Sequence, residues 1–207
     1  MQAHKVRDET ETPAKSRFNV NEFPAHPAYC VSAAVRGTTN EDHMDRIDSA
    51  LLLLRVVFGV FLACHGVNKV KNGINGTAGW FSSIGMRWPG AQAVIAATSE
   101  IVAGALFALG LATPVAAAVV IALMIVAIVT VHWRVGFFIF LPNGGWEYCA
   151  SIAAVAVALS ISGPGRFSLD EALGWTHCTL TGIIAVALGV LAAAAHLALT
   201  YRPKDPA

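Results

Sequence analysis

The sequence predicts an all-α integral membrane protein, a four-helix transmembrane bundle with a fifth transmembrane helix at the C-terminus. Three observations carry that prediction. Apolar residues make up 56% of the 207 and charged residues only 13%, against roughly 25% charged in a soluble domain. The charges are also unevenly spread: 14 of the 27 fall in residues 1–48, 6 in residues 164–207, and only 7 in the 115 residues between. Finally, the central and C-terminal parts break into five apolar stretches near the length of roughly 20 residues that a membrane crossing needs. A soluble enzyme of this size needs a charged surface over most of its length, which this chain cannot present. A net charge of +1 likewise leaves no electrostatic footprint for nucleic acid.

In chain order, residues 1–47 mix both signs of charge with Pro13, Pro24 and Pro27 and have no apolar period. Such a segment buries too little to offset its ordering entropy, so a disordered charged tail is expected, as a solubilising extension or a docking arm. The bundle is placed at residues 48–174, and residues 175–207 add the fifth helix and a short polar C-terminus. The first span is residues 49–68, and the second is 91–111, bounded by Pro89-Gly90 and by Gly110 through Pro114. The third is 114–132, the fourth 146–162, stopped by Gly163-Pro164-Gly165, and the fifth 178–201, closed by Arg202-Pro203. Each stop is a residue pair that cannot continue a helix. Gly104 and Ala108 offer small surfaces for close helix contact. Trp80, Trp88, Trp133, Trp146, Trp175 and Tyr201 fall near span ends, as an interfacial aromatic belt requires. The count of Lys and Arg in short loops places the side reached after the first span in the cytoplasm, whereas the long charged tail favours the opposite orientation.

Ionisable residues inside spans cost about 2.5–3.5 kcal/mol each on insertion scales, so each calls for a partner or a task. Calling the membrane face where the first span ends the far face, helical rise puts Arg55 roughly 10 Å in from the near face and Glu100 roughly 14 Å in from the far face. In a core about 30 Å thick these depths nearly agree, which predicts an Arg55–Glu100 ion pair that fixes register or serves function. His65 and Lys69 share a broad stripe with Arg55 on the helical wheel; His132 ends the third span, Glu147 opens the fourth, and all but Arg55 approach the far face. Histidine, glutamate and lysine converging at a membrane boundary suit a proton relay, a quinone head-group site or an anion site, while span-end charges can also simply snorkel to water. The four cysteines form no Cys-x-x-Cys, and helical phase turns Cys64 and Cys149 toward lipid or a neighbouring helix, which argues against a redox dithiol. No His-x-x-His or carboxylate cluster suggests a metal, so no metal site is expected.

Several segments in one order carry a family resemblance. They are LLLLRVVFGVFLACHGVNKV with Arg55, His65 and Lys69, then GWFSSIGMRWPG, then SEIVAGALFALGLATPVAA with Glu100. After these come MIVAIVTVHWRVGFF, NGGWEYCASIAAVAVAL with Glu147, and GPGRFSLDEALG. Across roughly residues 49–174 the chain resembles the DoxX family of bacterial membrane proteins. The resemblance implies a four-helix bundle in a prokaryotic cytoplasmic membrane and a link to redox or oxidative-stress systems, of which thiosulfate:quinone oxidoreduction gave the family its name. On that reading Glu100, Glu147 and His132 handle protons, Arg55, His65 and Lys69 engage a quinone or anionic substrate, and electrons come through a soluble oxidoreductase or redox-stress partner. No intrinsic cofactor is evident in the sequence, and quinone is the carrier the resemblance suggests. Two other classes compete: a non-enzymatic membrane scaffold that recruits soluble partners, and a small-solute carrier, which the want of internal symmetry disfavours. The tail and the fifth span depart from the basic family pattern.

Overall fold

The structure is a computed structural model that describes residues 27–203, with side chains from residue 41 onward. The chain forms two units, Met1–Asp42 and His43–Ala207. In the first, residues 27–42 are helical, and residues 1–26 of the expected tail lie outside the described residues. Residues 27–47 therefore correct the sequence reading: helix α1 spans Pro27–Lys71. Proline at a helix start needs no amide partner, no other proline follows before Pro89, and extending an existing helix is far easier than nucleating one.

The second unit continues with α2 (Ile74–Ser83), α3 (Pro89–Leu109) and α4 (Thr113–Ala127), which passes into a π-helical turn at Ile128–His132. Then come α5 (Glu147–Ser162), the short α6 (Leu169–Ala172) and α7 (Thr179–Thr200). Among the described residues, four segments are long and apolar enough to cross a membrane: Glu41–Lys71, Pro89–Leu109, Thr113–His132 and Thr179–Thr200. The all-α membrane class holds, and the fifth C-terminal helix is present as α7. The predicted fourth span is a shorter apolar helix, Glu147–Ser162, because the loop before it turns back on itself. There Trp146 N–H donates to the Gly136 carbonyl and Glu147 N–H to that of Phe137.

Glycine sets the depth at which the helices meet. A Cβ on Gly59 would lie 2.6 Å from the Gly104 carbonyl oxygen, and one on Gly104 would lie 2.6 Å from the Gly59 carbonyl oxygen. Gly66 meets the Ala97 carbonyl oxygen in the same way, at 2.6 Å. The antiparallel α1–α3 seam is thus built from small residues that let backbones touch, the usual device where lipid removes any hydrophobic drive between helices. Leu62, Phe107, Val120, Ile121, Met124, Ile152 and Leu159 fill the core around it.

Helix α7 docks by the same means. Its buried residues Gly182, Ala185, Gly189 and Ala193 recur every three or four positions. A Cβ on Gly189 would stand 2.7 Å from the Ala118 carbonyl oxygen of α4, and Ser160 Oγ donates to the Gly182 carbonyl at 3.0 Å. At the far end Arg87 N–H donates to the Thr200 carbonyl and Arg202 N–H to the Gly85 carbonyl. Gly189→Leu is expected to lift α7 off α4 and lower the unfolding free energy in detergent by roughly 2–4 kcal/mol. An unfolding curve within about 1 kcal/mol of wild type would place the docking energy elsewhere.

Candidate functional site

Two polar clusters lie at opposite ends of the bundle, and the predicted Arg55–Glu100 pair is not formed between them. Glu100 instead accepts a hydrogen bond from Lys69 Nζ at 2.5 Å, while Arg55 Nη2 donates to the Phe167 carbonyl, also at 2.5 Å. Register and side-chain direction explain the exchange. From the Gly59–Gly104 contact, Arg55 lies four residues toward the near face and Glu100 four toward the far face, an axial offset of about 12 Å. Helical side chains also lean toward the helix N-terminus. On α1 that direction carries Arg55 away from Glu100 and draws Lys69 back from the far face toward it.

At the near face the loop GPGRFSLDEALG folds over the helix ends. Arg55 is fully buried, with its guanidinium in the space a Cβ on Gly110 would need (φ +63°). Asp170 is fully buried too, and its carboxylate accepts from Ala112 N–H at 2.7 Å and Thr113 N–H at 2.9 Å. It thereby caps the N-terminus of α4, where a negative charge suits the helix dipole, and it is the acidic group acting electrostatically on Arg55. His177 Nε2 stands 3.1 Å from the same carboxylate. Asp48, buried, accepts from Arg166 N–H at 3.0 Å, and the Arg166 side chain reaches Asp45 at 3.1 Å on the surface. This cluster clasps the bundle.

At the far face a chamber of about 320 Å³ opens between α1, α3, α4 and α5. Its polar lining includes His65, Lys69, Glu100, His132 and Tyr148, and its remaining walls are mostly apolar, with Trp80, Phe81, Met124 and Ile152 among them. The Lys69 and Glu100 side chains are 21% and 12% exposed, so the pair is largely withdrawn from the surface. His132 ends the π-helical turn and lines the chamber, and such turns recur at functional sites. Its Nδ1 lies 2.7 Å from the Gly144 carbonyl oxygen. A carbonyl can only accept, so Nδ1 carries the proton and Nε2 is left for other partners. The His65 ring sits 6.2 Å from the Tyr148 ring.

Of the predicted site residues, the structure brings His65, Lys69, Glu100 and His132 to one chamber and separates two. Arg55 belongs to the near-face clasp, about 21 Å along α1 from Lys69. Glu147 is outside the chamber lining, and its Oε2 accepts from Ile139 N–H at 3.2 Å, pinning the loop that covers the chamber. Sequence reasoning missed Tyr148, Asp48, Asp170 and His177. Of the two surroundings helical phase offers Cys149, lipid or a neighbouring helix, the structure has the second: Cys149 is buried on the chamber wall. The Ser168-to-Glu171 spacing is that of a capping box, and Glu171 N–H does donate to Ser168 Oγ; that signal marks a helix start beside Asp170.

A bundle of apolar helices, with its few ionic groups turned inward, defines a multi-pass helical membrane protein. The DoxX family profile matches residues 50–133. The chain is 33% identical over 109 residues to "Putative oxidoreductase CatD" of Bacillus subtilis (strain 168), an alignment covering 53% of this chain and 77% of that protein. The chain belongs to the DoxX family. No solved structure matches it significantly.

Proposed function

We propose that this protein is a membrane-embedded component of an oxidoreductase system whose far-face chamber receives a quinone head group. The observation that carries the reading is the Lys69–Glu100 pair on the wall of a chamber that also presents His65, His132 and Tyr148. The chamber volume, about 320 Å³, lies in the range of ligand pockets, roughly 300–1,000 Å³. An apolar enclosure with a few convergent donors matches a flat ring bearing two carbonyl oxygens. The relative named as an oxidoreductase supports the same direction.

The quinone supplies two-electron chemistry, with electrons delivered by a soluble oxidoreductase partner. The chain's own residues bind and manage protons. Lys69 Nζ, already oriented by Glu100, has donors left for one quinone oxygen. His132, its Nδ1 proton held by Gly144, exchanges a proton only through Nε2, the geometry of a proton carrier. Tyr148 places a hydroxyl donor on the wall. Glu147 serves by holding the loop in place. Arg55 serves through the near-face clasp.

The test uses purified protein in mild detergent and a tail-less benzoquinone, with quenching of Trp80 fluorescence as readout, since Trp80 lines the chamber. Lys69→Met is expected to weaken quinone binding about 10-fold or more, equivalent to one charge-assisted hydrogen bond, and His132→Ala to weaken binding of the reduced hydroquinone, whose hydroxyl can donate to Nε2. Arg55→Met should leave the affinity of the folded fraction unchanged. Equal affinity of wild type and Lys69→Met for the quinone, and of wild type and His132→Ala for the hydroquinone, would overturn the assignment.

A further inference from the structure

A second chamber of about 330 Å³ lies beside the first, between α3, α4 and α7. Its walls are almost entirely apolar, Gln92, Ser99 and His196 being the polar exceptions. Five residues, Phe81, Met86, Ala96, Leu123 and Val126, line both chambers. The two chambers therefore adjoin along these side chains, of which Ala96 is the smallest. Along α4 the second chamber runs from Ala118 to Val126, about 12 Å parallel to the helix axes. Its outer wall is Leu188, Gly189, Ala192, Ala193 and His196 of α7, a helix outside the residues matched by the family profile.

We propose that the two chambers hold one amphiphile, its ring against Lys69, Glu100 and His132 and its single apolar chain, an isoprenoid in the case of a quinone, between α3, α4 and α7. The inference rests on the functional reading above and adds the site for the tail. Three observations select this occupant. The lining changes from polar to apolar across the residues the two chambers share, as a head-and-tail molecule requires. The apolar chamber follows the helix axes, so an extended chain fits it. Helix α7 is secured at both ends, by Ser160–Gly182 near one face and by Arg87–Thr200 near the other, which holds its middle as a fixed wall. The additional helix thus converts a lipid-facing groove of the bundle into a tail channel.

The experiment compares a tail-less dimethoxy-methyl-benzoquinone with the same ring carrying a decyl chain, in wild type, Ala192→Phe and Ala122→Phe. Ala192 is on the exposed side of α7 and Ala122 is half-buried on α4, so the two variants fill the same chamber from independent walls. In wild type the decyl chain is expected to tighten binding at least about 10-fold. Both variants should cut that gain to about 3-fold or less while leaving the tail-less ring unaffected. Native mass spectrometry of the same samples tests whether a phospholipid occupies the chamber instead. If the ring binds but the decyl gain survives in both variants at wild-type helicity, the channel is overturned and the head-group site stands. A phospholipid retained by wild type, lost in Ala192→Phe and not displaced by the decyl compound overturns it as well. If the ring fails to bind wild type, the functional reading falls and takes the tail site with it.

Discussion

Replacing Asp170 with alanine is expected to cost about 2–4 kcal/mol of stability, the scale for a lost helix cap that leaves two backbone amides without an acceptor. Three losses coincide. The N-terminus of α4 loses both acceptors for its Ala112 and Thr113 amides, and buried amides left without partners are penalised. The fully buried Arg55 guanidinium, whose Nη2 donates to the Phe167 carbonyl and not to Asp170, loses a favourable carboxylate charge within the same clasp. The backbone of the near-face loop, tied by the Asp170 N–H to the Gly110 carbonyl at 2.9 Å, loses its side-chain anchor. Asp170→Asn keeps one acceptor but no charge, and should fall between wild type and alanine. In the double variant Arg55→Met/Asp170→Ala no charge is stranded, so its loss should be smaller than the sum of the singles by about 1 kcal/mol or more. Unfolding measured by helicity in mixed detergent checks all four proteins. Strict additivity, or an alanine variant within about 1 kcal/mol of wild type, would remove Asp170 from the clasp.

How much of this could be read beforehand depended on the range of the interaction. The spans were legible because each is a continuous apolar run ended by local Gly and Pro chemistry, and α7 was found that way. Gly104 and Ala108 were recognisable as small surfaces, but their partners on α1 were not, because register is a relation between two helices. Without register, Arg55 and Glu100 looked level in depth, and the lean of side chains toward the helix N-terminus, which sends Lys69 inward, was left out. Four far-face residues could be named from span ends alone, since helix ends at one face converge whatever the packing. Asp48 and Asp170 flank spans, where no insertion cost marks a charge for notice. Their burial depends on contacts such as Asp48–Arg166 and Asp170–Thr113, which cross 118 and 57 positions of sequence. For Cys149, helical phase taken from Glu147 leaves lipid and a neighbouring helix both open, because the Glu147 side chain turns to the loop at Ile139 and marks no inward face.

Gly104→Leu is expected to be the most disruptive single change in the α1–α3 seam. A Cβ at this position would lie 2.6 Å from both the Ala63 amide nitrogen and the Gly59 carbonyl oxygen. Both atoms are backbone, so no rotamer change relieves the clash and the helices must separate. Overpacking of ordinary cores costs about 1–3 kcal/mol; alanine here should reach that range, and leucine should exceed about 4 kcal/mol. The consequence extends to the chamber, because the seam holds Lys69 within reach of Glu100. Any Gly104→Leu protein recovered in folded form should therefore bind the tail-less benzoquinone as poorly as Lys69→Met does, although the substitution is four residues from Glu100 and outside the chamber lining. Gly76→Ala, where a Cβ would meet nothing within 4 Å, supplies the control and should change neither stability nor binding. If Gly104→Leu unfolds within about 1 kcal/mol of wild type, the close approach of α1 and α3 is wrong, and with it the register that separates Arg55 from Glu100.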